Sequence, residues 1–185
     1  PGMKTSDVIK IFEKLIPVQV RLIQAIAERP QADDSFMRLQ YDEQKQWDFG
    51  IKVATAFGYD WKRGRQDRSA HPFTTSFSMD DVRITTRFEK DSGASALFST
   101  MHETGHALYE QGISPVLSRT PLEGGASLAI HESQSRLWEN IVGRSLPFWE
   151  YFYPELQSLF PSQLGGTSLD SLYKAINRVE RSLIR

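Results

Sequence analysis

The chain contains no cysteine. Disulfides, thiolate metal ligands and a cysteine nucleophile are therefore excluded, and any metal site must be built from histidine, aspartate and glutamate. That lack also fits a cytoplasmic setting. No apolar run reaches the roughly 18 residues needed to span a bilayer, and the opening residues show no basic-then-apolar leader. An excess of one charge is missing as well: 22 Lys and Arg face 23 Asp and Glu, for a formal net charge of −1 and a pI near 6.5. Neither a basic stripe for nucleic acid nor a polybasic membrane signal is present. There is no internal repeat and no low-complexity segment. Pro1-Gly2-Met3-Lys4 does not resemble a natural start, because an initiator methionine would come first, so a fragment or a processed chain is expected.

What is present is an ordinary globular composition of 185 residues, 39% hydrophobic, enough for one sizeable core and a single domain over 1–185. Residues 5–28 place Val8, Ile11, Phe12, Leu15, Leu22, Ile23 and Ile26 at helical spacing, with Pro17 predicting a kink or two helices. A second helix is expected over 42–57, with Gly58 just past its end. Residues 59–70, rich in charge and glycine, read as a solvated loop. The alternating β-branched and aromatic residues of 73–77 and 82–88 predict a β-hairpin. A helix over 92–111 follows, stopping at a left-handed Gly112, and then a long connection over 114–125 of the kind that often lines sites. A further helix spans about 126–142. Residues 146–160 are broken by prolines, with Phe148, Trp149, Phe152 and Tyr153 as core packing. A last helix starts near Thr167 or Ser168 and runs on to the chain's end.

The helix over 92–111 carries His102-Glu103-Thr104-Gly105-His106. Residues four apart share a helix face, so the two imidazoles can hold one metal ion. Glu103, about 100° further round, would reach the water on that ion. The motif needs only three fixed residues, but Leu97, Phe98, Met101, Gly105 and Leu108 keep helical phase around it. A third ligand must be a histidine or carboxylate from another element, and His131-Glu132 offers both. Glu139 lies two turns from Glu132 on the same helix face, and spacing alone does not separate them. The bland reading of either glutamate is a solvated helix face.

Taken together, His71-Pro72-Phe73, Asp81-Val82-Arg83-Ile84-Thr85, His102-Glu103-Thr104-Gly105-His106 and His131-Glu132-Ser133-Gln134 resemble the ordered motifs of the Taq-type thermostable metallocarboxypeptidases: H-P-F, D-x-R-x-T, H-E-x-x-H and H-E-[SG]-Q. The resemblance implies a mainly helical metallopeptidase core, similar to neurolysin and angiotensin-converting enzyme, with a small antiparallel hairpin beside the active-site helix. It implies zinc, with cobalt possible, on His102, His106 and Glu132, and Glu103 as catalytic base. It further implies release of single residues from peptides with a free C-terminus, broad specificity, and a homodimer.

Other residues then acquire expected roles. Arg83, oriented by Asp81 in the motif that ends at Thr85, is the candidate fork for the substrate carboxylate; its bland reading is an exposed ion pair. His71, held extended before Pro72, would donate to a substrate carbonyl or the tetrahedral intermediate, against the reading of a packed loop histidine. His131 would support the ligands from behind. Ile184-Arg185 looks like the start of a further family motif, [IV]-R-x-x-A-D, which would help recognise the carboxylate. An N-terminal helical region found in relatives is absent, so the chain reads as a portion of a longer, mostly helical enzyme. The rival readings are a metallo-endopeptidase of similar fold and a non-catalytic metal-binding fragment.

Overall fold

The computed structural model describes residues 2–179. Helices carry most of the chain: α1 (Thr5–Ala27), α2 (Glu43–Phe57), α3 (Ser95–Gln111), α4 (Leu128–Arg136), α5 (Leu146–Leu159), α6 (Pro161–Leu164) and α7 (Leu169–Ile176). Three short strands, β1 (Gln66–Arg68), β2 (Thr74–Ser78) and β3 (Asp81–Thr86), lie between α2 and α3 in sequence. This is the mainly helical core with a small sheet that the motifs imply.

The centre of the molecule is α3. Twelve of its seventeen residues are buried, so it is an interior helix with neighbours on most sides. Leu97, Phe98 and Met101 join one apolar cluster with Phe49, Val53, Phe148, Trp149, Phe152 and Tyr153. Ala107, further along, joins a second cluster with Ala54, Tyr59, Val82 and Ile84. The aromatic residues of α5 are thus core packing, as their pattern suggests. That helix is not broken: Pro147 sits in its first turn, where a missing N–H is harmless, and Pro154 removes only one internal bond from a packed helix.

The sheet has β3 in the middle. On one side β2 pairs with it antiparallel, Thr74 opposite Ile84 and Thr75 opposite Arg83, which is the expected hairpin. On the other side β1 pairs parallel, Gln66 opposite Ile84. Nothing in Gln66-Asp67-Arg68 alternates in hydrophobicity, so the strand arises in a stretch expected to be loop; the unpaired edge of β3 supplies the ladder that extends it. Val82, Ile84 and Thr86 are buried while Arg83 between them is exposed, the two-residue period that lays one face of β3 against α3.

Other boundaries differ from expectation. α1 runs unbroken through Pro17, whose missing donor takes one bond from a long ladder. Gly112 ends α3 with φ −83°, right-handed, whereas Gly58 ends α2 at φ +100°. Ser127 caps α4, its Oγ accepting from the Ile130 N–H at 3.2 Å, and after Arg136 the helix widens into a π-helical segment, Leu137–Val142. α7 ends at Ile176. The expected last helix does not continue through 177–179, where Asn177 closes α7, and residues 180–185, with Ile184 and Arg185, lie outside the described residues. No described helix is long and apolar enough to cross a membrane.

Candidate metal centre

α3 and α4 meet where His102 and His106 face Glu132. The approach is close because Gly105 has no side chain: a Cβ there would stand 2.6 Å from Ser135 Cα and 2.7 Å from the Gln134 carbonyl oxygen. The glycine inside the His-Glu-Thr-Gly-His run therefore sets the spacing between α3 and α4. Across the gap, Glu132 Oε2 lies 3.6 Å from His102 Nε2 and 3.3 Å from His106 Nε2. The three donor atoms all fall within 4.8 Å of one another. Ligands about 2.0–2.2 Å from a tetrahedral ion sit roughly 3–4 Å apart, so two imidazoles and a carboxylate in this arrangement fit a divalent cation.

Further groups stand behind these three side chains and hold them. Glu139, carried on the π-helical segment, brings Oε2 to 2.8 Å from His102 Nδ1. It is an orienting partner for His102, whereas Glu132 faces the shared Nε2 side. Arg136 ties the carboxylates together, donating from Nε to Glu132 Oε1 at 2.9 Å and from Nη1 to Glu139 Oε2 at 3.3 Å. Ser135 Oγ donates to Glu132 Oε2 at 3.1 Å. His106 Nδ1 lies 2.6 Å from His131 Nδ1, and His131 Nε2 lies 2.6 Å from Glu110 Oε1. His131 therefore stands behind His106; Glu110, four residues after His106 on the same face of α3, was not singled out in the sequence, although that spacing is visible there.

The charge states suit ligation. Burial, with His102 and His131 nearby, pushes the His106 pKa down to about 4, so the ring is neutral at neutral pH. Burial raises the Glu132 carboxyl, but the Arg136 hydrogen bond, the His102 charge and Ser135 outweigh it and leave the group below its ordinary value. In Glu139 burial again raises, and the bond and charge of His102, with Arg136 and Arg144, lower further.

Glu103 is buried beside the two histidines. Thr74 Oγ1, on β2, lies 2.7 Å from Glu103 Oε2 and 3.0 Å from the Glu103 carbonyl oxygen, which fixes the carboxylate against the sheet. An open cavity of about 510 Å³ lies over His102, Glu103, His106 and Glu132, with His71, Pro72 and Thr74 on its wall. A smaller one of about 170 Å³ adjoins His71, His102 and Glu103 and includes Arg87.

The remaining predicted residues are placed unequally. His71 is exposed and lines both cavities, its carbonyl held by Ser69 Oγ at 2.6 Å. Thr85 is buried under that loop: its Oγ1 accepts from the Phe73 N–H at 2.9 Å and lies 2.7 Å from Ser69 Oγ. Thr85 thus holds the His71-Pro72-Phe73 turn instead of facing the cavity. Arg83 is exposed, its Nε and Nη2 both 2.8 Å from Asp81, and neither residue lines the two cavities. Strand alternation explains this, since Arg83 points away from the face that β3 lays on α3. The arginine on the wall is Arg87, which donates to the Ala70 carbonyl and pairs with Glu89.

A helical core with two histidines and a glutamate around a cavity, and a second glutamate beside them, is the outline of a metallopeptidase. The chain belongs to the family described as Carboxypeptidase Taq (M32) metallopeptidase, whose model matches residues 1–185. It is 44% identical over 188 residues to "Thermostable carboxypeptidase 1" of Thermus thermophilus, covering 100% of this chain and 36% of that protein. It is 39% identical over 186 residues to "Carboxypeptidase 1" of Bacillus subtilis, covering 100% of this chain and 37% of that one. Among solved structures, the M32 carboxypeptidase from Deinococcus radiodurans R1 superposes with a TM-score of 0.97 at 44% identity, over 99% of this chain and 37% of that chain. The chain thus spans little more than a third of the length of the relatives it matches.

Proposed function

We propose that this chain carries the metal centre and the proton-transfer group of a carboxypeptidase that releases C-terminal residues from peptides, with His102, His106 and Glu132 holding zinc, or cobalt in its place. The convergence of two Nε2 atoms on one Glu132 oxygen, with Glu103 on the same cavity, is the observation that supports it. When bound, a divalent ion supplies Lewis acidity, polarising a carbonyl and making water acidic near neutral pH. Glu103 accepts the proton of the attacking water at its carboxylate and returns it to the departing amine. Thr74 keeps that carboxylate aimed by donating to Oε2. His71, exposed on the cavity rim, donates to the carbonyl oxygen as charge develops there.

For the substrate carboxylate, Arg87 takes the place expected of Arg83, because it lines the cavity beside Glu103 whereas Arg83 lines neither cavity. Arg87→Ala should raise KM for free-carboxylate peptides with less change in kcat, as read from initial rates over a range of peptide concentrations. A role for Arg185 belongs to the same proposal. A homodimer, implied by the family resemblance, and a cytoplasmic location, in keeping with the lack of cysteine, complete it; light scattering and cell fractionation test them.

The deciding experiment follows hydrolysis of an N-blocked peptide by the zinc-loaded chain, with the C-terminus free or amidated. Turnover of the free form alone supports the carboxypeptidase. Cleavage of both makes it an endopeptidase, and bound zinc without turnover makes it a metal-binding unit only. Glu103→Gln should keep zinc and lose about 10²- to 10⁴-fold in kcat, the usual worth of a positioned acid–base group.

A further inference from the structure

Glu110 follows His106 by four residues on α3, and His131 from α4 is inserted between their side chains. Both contacts of His131 are short, 2.6 Å from Nε2 to Glu110 Oε1 and 2.6 Å from Nδ1 to His106 Nδ1. The Glu110 and His131 side chains are only 11% and 21% exposed, so water does not readily replace either partner. An ionised carboxylate only accepts, which places a hydrogen on His131 Nε2. Two ring nitrogens at this distance must share one hydrogen. With the one ring hydrogen of His131 placed on Nε2 by the Glu110 contact, its Nδ1 presents a lone pair, so the shared hydrogen belongs to His106 Nδ1. The remaining lone pair of His106 is then at Nε2, the atom 3.3 Å from Glu132 Oε2.

We propose that Glu110 and His131 are positioning residues that hold His106 in the Nδ1–H tautomer and thereby present its Nε2 to a divalent cation. The proposal rests on the metal-centre reading of His102, His106 and Glu132. It also separates the two histidine ligands: His102 is oriented directly by the Glu139 carboxylate at 2.8 Å, whereas His106 receives the same support through an intervening imidazole. One turn of α4 consequently supplies both Glu132 as ligand and His131 as the acceptor behind the neighbouring ligand.

The test measures zinc affinity of the 185-residue chain by competition with a chromophoric chelator. His131→Phe keeps a ring but removes the acceptor, and Glu110→Ala strands the His131 Nε2–H; each should weaken zinc binding about 10- to 100-fold, the range typical of such outer partners. Glu110→Gln keeps an acceptor oxygen and should restore most of the loss. Nitrogen NMR of the ¹⁵N-histidine-labelled, metal-free chain should show His106 protonated at Nδ1, and Glu110→Ala should shift that signal towards a mixture of tautomers. If His131→Phe does not fold, the Glu110 pair and the wild-type spectrum decide alone. Wild-type affinity in Glu110→Ala, or a His106 proton found on Nε2, overturns the proposal. Glu132→Ala separates the two levels: if it binds zinc like the wild type the ligand reading itself fails, and if it loses zinc while Glu110→Ala does not, only the positioning role fails.

Discussion

Glu132 and Glu139 lie two helical turns apart and look interchangeable on a helical wheel, yet they do different work. Glu132 Oε2 faces the Nε2 atoms of both histidines, and Glu139 Oε2 takes the Nδ1 side of His102. Glu139→Gln should therefore keep a zinc site but weaken it about 10- to 100-fold, as read by calorimetric titration, whereas Glu132→Ala should remove most of the affinity. His106 adds a pH dependence. Its pKa is pushed from the model-compound value of 6.5 to about 4, so the folded state holds fewer protons than the unfolded state between those values. Stability from this group is complete above about pH 6.5 and is lost as pH falls towards about 4. Urea midpoints of the metal-free chain should fall across that window, and His106→Gln should flatten the slope.

The elements that matter most are α3 and α4, whose separation is set at Gly105. Helix propensity alone favours alanine over glycine by about 1 kcal/mol. The Ser135 and Gln134 backbone atoms in the way predict the opposite sign, because α4 would have to move. Gly105→Ala should destabilise the chain by about 1–3 kcal/mol and also weaken zinc binding, since Glu132 rides on α4; equilibrium denaturation and zinc titration on one preparation check both. The start of α2 has a simpler dependence. Asp42 accepts from the Lys45 N–H at 2.9 Å, and Asp42→Ala should cost about 1 kcal/mol, measured in the same denaturation assay. β1 shows the limit of local patterns, because its three polar residues are extended only by pairing with β3.

Over the whole molecule, one apolar cluster centred on α2, α3 and α5 positions the N-terminal part of α3, and a second under the sheet positions the part beyond the histidines. Trp149, 2% exposed with its Nε1 donating to the Gly143 carbonyl at 2.9 Å, anchors the first. Trp149→Ala should cost about 3–5 kcal/mol in denaturation and loosen the metal site with it. α1 contributes no buried residue, and Ile11, Phe12, Leu15 and Ile16 remain exposed along it. Its apolar periodicity was legible without a fold; what covers it is not found among the described residues. The sequence by itself determined the helix that carries the two histidines, the hairpin beside it and the candidates for a third ligand, because side-chain period along a chain follows from helix and strand geometry. Tertiary structure alone decided which oxygen of which glutamate meets both imidazoles, that His131 comes to lie between His106 and Glu110, and that Arg87 instead of Arg83 lines the cavity. Those relations join residues on different elements, and the separation and rotation of packed elements depend on contacts such as Gly105 against Ser135, which no period along one element records.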